Sequence, residues 1–339
     1  MRITLRDIRK QYGKVIANDG IDLEITEGSI HGILGENGAG KSTLMKILAG
    51  YTTKTSGTIL LNGRPVEYDH PSQATRLGIG MLYQDPLDFP PLTVLENFLM
   101  GLDHGLVSRV EVYRRRLREM ADHFGFHLDP ETTVQRLTVG ERQQLELVRL
   151  LALGVEVLIL DEPTTGISSL QKQALFTALR KLAGEGKTIF LVSHKLEDVE
   201  ALCDRITVLR RGKVEGEMGL PFESRKLLGW MFGSELPPPP CFERRTKEGV
   251  SALAMEGVSA SGGRAGLGPC HVSVSQGEVV GLAGLEGSGQ GLFLRLAAGL
   301  ERPETGKIRV AEEDMTGKDH HAYRARRVTF LPAGRLEEG

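Results

Sequence analysis

The sequence predicts an α/β protein: a mixed, largely parallel core sheet with an antiparallel β subdomain and an inserted helical subdomain, followed by the start of a second, degenerate copy. Three observations carry this reading. Strand patterns alternate with helical ones, as in folds whose parallel strands are joined by crossover helices. Between Leu92 and Leu150 the strand pattern gives way to helical periodicity alone. Finally, Gly277, Gly281, Gly284, Gly287, Gly289, Gly299 and Gly306 fall on Gly28, Gly32, Gly35, Gly38, Gly40, Gly50 and Gly57 at one constant offset, since 284 less 35 and 306 less 57 are both 249.

Residues 3 to 25 alternate apolar and polar positions around GKVIANDG, the pattern of half-buried antiparallel strands. The opening MRITLRDIRKQYG lacks the apolar run of a signal peptide and reads as an edge strand. Next comes IHGILGENGAGKSTLMKILAG, an apolar strand, a glycine-rich loop and a helix that begins with Lys41, Ser42 and Thr43. GTILLNGRPV continues the strand pattern, Pro71 to Leu77 is helical, and IGMLYQD is a strand that stops at Pro86. The helical subdomain, about 88–152, contains TVLENFLMG, the basic VEVYRRRLREMADHFGF and ERQQLELVRLLALG. Arg114, Arg115, Arg116 and Arg118 form a solvated helix face. VEVLILDEPT is a strand apolar on both faces, followed by the helix LQKQALFTALRKLAGEG, the strand KTIFLVSH and a closing pair, RITVLRRGKVEGE. The first domain covers 1–233. ELPPPP marks a stiff linker over 234–248, and 249–339 begins the second copy.

Composition excludes several classes. With 339 residues, the chain suits about two domains. A net charge of −2 argues against a nucleic-acid partner. Cys203, Cys241 and Cys270 have no metal-ligand spacing and suit a reducing compartment. The most apolar stretch, LELVRLLALGVEVLIL, is interrupted by Glu146, Arg149 and Glu156 and falls short of the roughly 20 apolar residues that span a bilayer. Any membrane role is therefore peripheral.

The chemistry lies at strand ends. Gly35, Glu36, Asn37, Gly38, Ala39, Gly40, Lys41, Ser42 and Thr43 have the spacing of a P-loop, and with the strand before and the helix after they predict a P-loop NTPase. There the backbone N–H groups cradle a polyphosphate, Lys41 neutralises the β and γ phosphates, and Ser42 ligates Mg²⁺. Asp161 and Glu162 emerge together from the apolar strand, so Asp161 can position the metal while Glu162 activates a water for in-line attack. His194 follows another buried strand and suits a contact to the γ-phosphate.

GENGAGKST, Tyr83-Gln84-Asp85, LTVGERQQ, LILDEPT and Ser193-His194 occur in the order found in the ATP-binding cassette family, which the chain resembles over its first domain. That resemblance implies that Leu137, Thr138, Val139, Gly140 and Glu141 form the signature loop, which closes on a nucleotide held by the opposite cassette. It further implies that Gln84 links the γ-phosphate and Mg²⁺ to a membrane permease, and that Tyr12 stacks on adenine. The signature wording and the second loop, GLEGSGQG, resemble the fused twin-cassette ATPases of simple-sugar and nucleoside importers. Such a resemblance implies ATP and Mg²⁺ as ligands and permease subunits as partners. An extracytoplasmic solute-binding protein acts indirectly, a second cassette is supplied in cis or by homodimerisation, and the chain sits on the cytoplasmic face of the membrane. In the second copy Lys41 becomes Gln290, Ser42 becomes Gly291 and Gln84 becomes Ala333, so the loop keeps its shape without its cation. Ser168 stands where the family has an aspartate, and Thr138 replaces the signature serine. The second copy as given lacks the signature loop that would complete the Lys41 site, so this chain is expected to bind ATP better than it hydrolyses it. Two other readings remain in view: a soluble twin-cassette ATPase acting on ribosomes or nucleic acid, and a non-hydrolysing ATP-binding regulator.

Overall fold

Strands apolar on both faces can sit only where both faces are covered, and five such runs build the centre of the first unit. The computed structural model describes residues 1–83, 86–102, 110–233, 251–262, 265–284 and 287–332. Two compact units divide the chain, Met1–Pro237 and Pro238–Gly339. The first begins with β1 (Ile3–Tyr12), β2 (Val15–Ile25), β3 (Ile30–Leu34) and α1 (Lys41–Leu48). Next are β4 (Ser56–Leu61), β5 (Arg64–Val66), α2 (Pro71–Arg76) and β6 (Ile79–Leu82). The helices α3 (Val94–Leu99), α4 (Val110–Phe124) and α5 (Val139–Ala152) follow. Then come β7 (Val157–Asp161), α6 (Ser169–Gly184), β8 (Thr188–Ser193), α7 (Leu196–Leu202), β9 (Arg205–Arg210), β10 (Lys213–Gly219) and α8 (Ser224–Phe232).

The main sheet has the order β10-β9-β3-β8-β7-β6, parallel except for β10. Period-two alternation divides its side chains between two cores. Leu158 and Leu160 pack with α3 to α6, whereas Val157 and Ile159 pack with α1 and the antiparallel sheet. That second sheet has the order β2-β1-β4-β5, so the N-terminal strand, expected at an edge, is internal and pairs on both sides. Its polar positions face solvent across one face only, a pattern that does not distinguish edge from centre. The turn expected over GKVIANDG is only Gly13 and Lys14, because Val15 to Gly20 pair onward through bulges. GTILLNGRPV is two strands rather than one, folded at Asn62 and Gly63, both with positive φ. The strand expected over IGMLYQD ends at Leu82; Gln84 and Asp85 lie outside the described residues. Arg114 pairs with Glu131 at 2.9 Å, and Arg116 donates to the Ala152 carbonyl at 2.9 Å, tying α4 to its neighbours.

His31 is buried in β3 with its Nε2 2.7 Å from the Thr207 hydroxyl, which in turn donates to Glu217 at 3.2 Å. Burial, aided by the nearby Arg205 cation, lowers its pKa from 6.5 to about 4. The unfolded chain therefore takes up this proton at a higher pH than the folded one. The corresponding stability is complete above pH 6.5 and is lost as pH falls toward 4. This one group should cost about 3 kcal/mol between those limits. Urea unfolding at pH 7 and pH 4.5 measures the slope, and His31→Gln, which keeps a donor without titrating, should remove that share of it.

The second unit contains β11 (Ser251–Ala260), β12 (Leu267–Ser275), α9 (Gln290–Ala297), β13 (Thr305–Val310), β14 (Glu313–Asp314) and α10 (His320–Ala325). Its sheet order, β12-β11-β13-β14, repeats that of the first antiparallel sheet. The spans of α9, β13 and α10 are those of α1, β4 and α2 moved by the same 249 positions. The positions equivalent to β3 form no strand, and Val279 is 96% exposed. A small core of Met255, Val258, Phe293, Leu296, Ile308 and Tyr323 holds this unit together. Among the described residues no helix is long and apolar enough to cross a membrane.

Candidate active site

Because β3, β8 and β7 are adjacent and parallel, the loops that follow them leave the same edge of the sheet. The loop after β3 turns at Gly38 and Gly40, with φ of 83° and 100°. A Cβ at Gly40 would lie 2.3 Å from the Ala17 carbonyl oxygen, so both the backbone angle and the close approach require glycine. Helix α1 opens with no acid in its first turn and no side-chain cap, leaving its N–H dipoles for an anion. Glu36, Asn37 and Gly38 are exposed at the mouth, while Ala39 is buried beneath. Lys41 is 5% exposed, and its Nζ donates to the carbonyls of Gly35 at 2.7 Å and Glu36 at 3.0 Å. Burial lowers its pKa, a pull opposed by the carboxylates of Glu162, Asp161 and Glu36.

Asp161 ends β7, where its carboxylate faces Ser42 at the start of α1. Desolvation raises its pKa; the Ser42 hydroxyl and Lys41 act in the opposite sense. Glu162 holds a left-handed backbone, φ 50°, with its N–H bonded to the Val192 carbonyl at 2.9 Å. That turn presents its carboxylate to His194, whose Nδ1 lies 2.8 Å from Oε1. The structure thus brings Lys41, Ser42, Asp161, Glu162 and His194 to one sheet edge. Gln84 lies outside the described residues.

Sequence reasoning missed the support beneath this pair. Asp198, 1% exposed on α7, accepts from the Thr164 hydroxyl and from the Lys172 ammonium. It fastens the segment after Glu162 to the segment after His194. The available signal was an acid among the apolar positions of LEDVEAL, a helix face otherwise turned to the core.

Leu137 to Glu141 lie at the start of α5, where Thr138 caps the helix and forms a reciprocal box with Glu141. Gly140 is buried, and Leu137 and Val139 are half-buried. Among the described residues no hydrogen bond or ion pair joins this loop to the Lys41 loop of the same unit. Arg142, one residue on, grips Asp88 through two bonds of 2.6 and 2.7 Å. Tyr12 is 49% exposed at the end of β1, with the Lys10 ammonium 4.7 Å from its ring centre. In the second unit Gly289 repeats the backbone of Gly40, φ 100°, ahead of Gln290 instead of a lysine.

The donor set fits a hard divalent cation that a substrate's phosphates would largely coordinate: one hydroxyl and one carboxylate, facing each other. Among the described residues no group of three or more His, Cys, Asp or Glu could hold a metal by itself.

The sequence matches the ABC transporter family over residues 18–165 and 267–335. It is 36% identical over 373 aligned positions to the glucose import ATP-binding protein TsgD13 of Haloferax volcanii, covering 99% of this chain and 67% of that protein. It is 32% identical over 345 positions to the nucleoside import ATP-binding protein NupA of Lactococcus lactis, with the same two coverages. The chain spans about two thirds of the length of these relatives. Among solved structures, an ATP-binding cassette captured as a post-hydrolysis dimer with ADP and phosphate is similar at a TM-score of 0.57 and 26% identity, over 65% of this chain and 100% of that one. The chain belongs to the ABC transporter family, as an ATP-binding cassette protein.

Proposed function

We propose that the chain is the ATP-binding and ATP-hydrolysing subunit of an importer, coupling ATP hydrolysis to uptake of a simple sugar or nucleoside through a membrane permease. One observation carries the reading: a buried lysine in a glycine-rich loop shares a sheet edge with the Ser42–Asp161 and Glu162–His194 pairs. The triphosphate enters between the loop N–H groups and the α1 dipole, and Lys41 exchanges two backbone carbonyls for phosphate oxygens. Glu162 orients and deprotonates the attacking water. With Nδ1 held by Glu162, His194 offers its other nitrogen to the γ-phosphate as charge moves onto the leaving oxygen. Mg²⁺ would be held by Ser42 and Asp161, and by Gln84, neutralising the β and γ oxygens when bound.

Relatives named as sugar and nucleoside importers support the solute class, and the dimeric cassette supports pairing with a second cassette, in cis or from another copy. Closure on ATP brings LTVGE of one cassette onto the nucleotide of the other, and reopening after hydrolysis drives the permease. The chain then works as a peripheral protein on the cytoplasmic face, served indirectly by a solute-binding protein outside. Equilibrium titration with a fluorescent ATP analogue tests the reading. One magnesium-dependent site per chain is expected, because Gln290 leaves the second loop without a cation. Absence of binding, or two equivalent sites, would overturn it.

A further inference from the structure

We infer that Gln171 is a positioning residue that staples the signature loop to the segment following Glu162, so that the two move as one body; this rests on the ATPase reading above. Its carboxamide is bonded at both ends. Oε1 accepts from the Ser168 N–H at 3.0 Å, and Nε2 donates to the Thr138 hydroxyl at 2.7 Å. Ser168 is the N-cap of α6 and Thr138 the N-cap of α5, so a single side chain joins the caps of two helices. The Thr138 hydroxyl is then fully committed. It donates to Glu141 Oε2 at 2.8 Å and accepts from both Gln171 and the Glu141 N–H.

Two features of the sequence find their reason here. A Cβ at residue 140 would lie 2.7 to 2.9 Å from the Gln171 carboxamide, so Gly140 is the space the staple occupies. Ser168, standing where the family has an aspartate, forms a capping box with Gln171, whose own amide donates to the Ser168 hydroxyl at 3.3 Å. The staple runs from the loop after the catalytic acid, which serves the cassette's own nucleotide, to the loop this cassette presents to the other. Occupancy of one site is thereby felt at the surface that completes the second.

Gln171→Met keeps the volume and helix preference while removing both bonds. Amide hydrogen exchange should accelerate about tenfold at Ser168 and at Glu141. Magnesium–ATP affinity at the Lys41 loop should stay within about twofold, and kcat should fall about tenfold at unchanged KM. Gln171→Glu separates the two ends: its carboxylate still accepts from Ser168 but cannot donate to Thr138, so only the Glu141 amide should accelerate. Unchanged exchange at Glu141 in Gln171→Met, or a raised KM with kcat intact, overturns the staple. If the unsubstituted chain binds ATP without turnover, the functional reading falls, and the exchange pattern alone upholds or overturns the staple.

Discussion

Lys41→Ala should yield a folded chain that no longer holds magnesium–ATP, with affinity weakened by about a hundredfold or more. Each charge-assisted hydrogen bond is worth roughly 1.5–3 kcal/mol, and one ammonium serving two phosphates makes at least two. The burial that lowers the Lys41 pKa also strengthens its attraction for an anion, because little water screens it. The fold should survive. The substitution frees only the carbonyls of Gly35 and Glu36, while α1 stays anchored by Leu44, Met45, Ile47 and Leu48. Circular dichroism and a urea midpoint check the fold, and calorimetric titration checks the binding. Gln290→Ala is the matched control and should leave the binding unchanged. Retained affinity in Lys41→Ala would remove the basis for placing the triphosphate in this cradle.

Much of the first unit was legible because its signals are local. The P-loop spacing fixes glycine angles and a helix start, and an uninterrupted apolar run such as VLILD has few places to go other than the middle of a parallel sheet. What the sequence left unread depends on pairing between distant strands. The internal place of β1 is set by β4, whose partners lie about fifty positions away, and half-burial looks the same at an edge or in the centre. The site divides in the same way. Asp161, Glu162 and His194 sit at strand ends and Lys41 at a helix start, all marked by motifs. Asp198 and Gln171 belong to helix surfaces and Thr164 to a turn, places where a polar residue usually faces water, and only the fold shows that these turn toward the functional loops. The second unit makes the complementary point: its helices and antiparallel strands form from local and neighbouring contacts, at the spacing the repeat predicts.

Glu162→Gln should abolish turnover while preserving binding, lowering kcat by about 10² to 10⁴, the usual contribution of a positioned general base. The substitution is isosteric, and the new carbonyl oxygen can still accept from His194 Nδ1, so the pair that now measures 2.8 Å keeps its shape. Only basicity is lost. Affinity for ATP should hold or rise, because a negative charge facing the γ-phosphate disappears. Asp198→Asn should act differently: it leaves Glu162 basic but weakens the tie between Thr164 and α7, so kcat falls with a loss of stability as well. Phosphate release under single-turnover conditions separates the two variants, and mass measured with ATP on Glu162→Gln shows whether the arrested state recruits a second cassette. A Glu162→Gln chain that still released phosphate at the original rate would move the base elsewhere. Asp161, at the end of β7 beside Ser42, is the neighbouring carboxylate that would then have to take the proton.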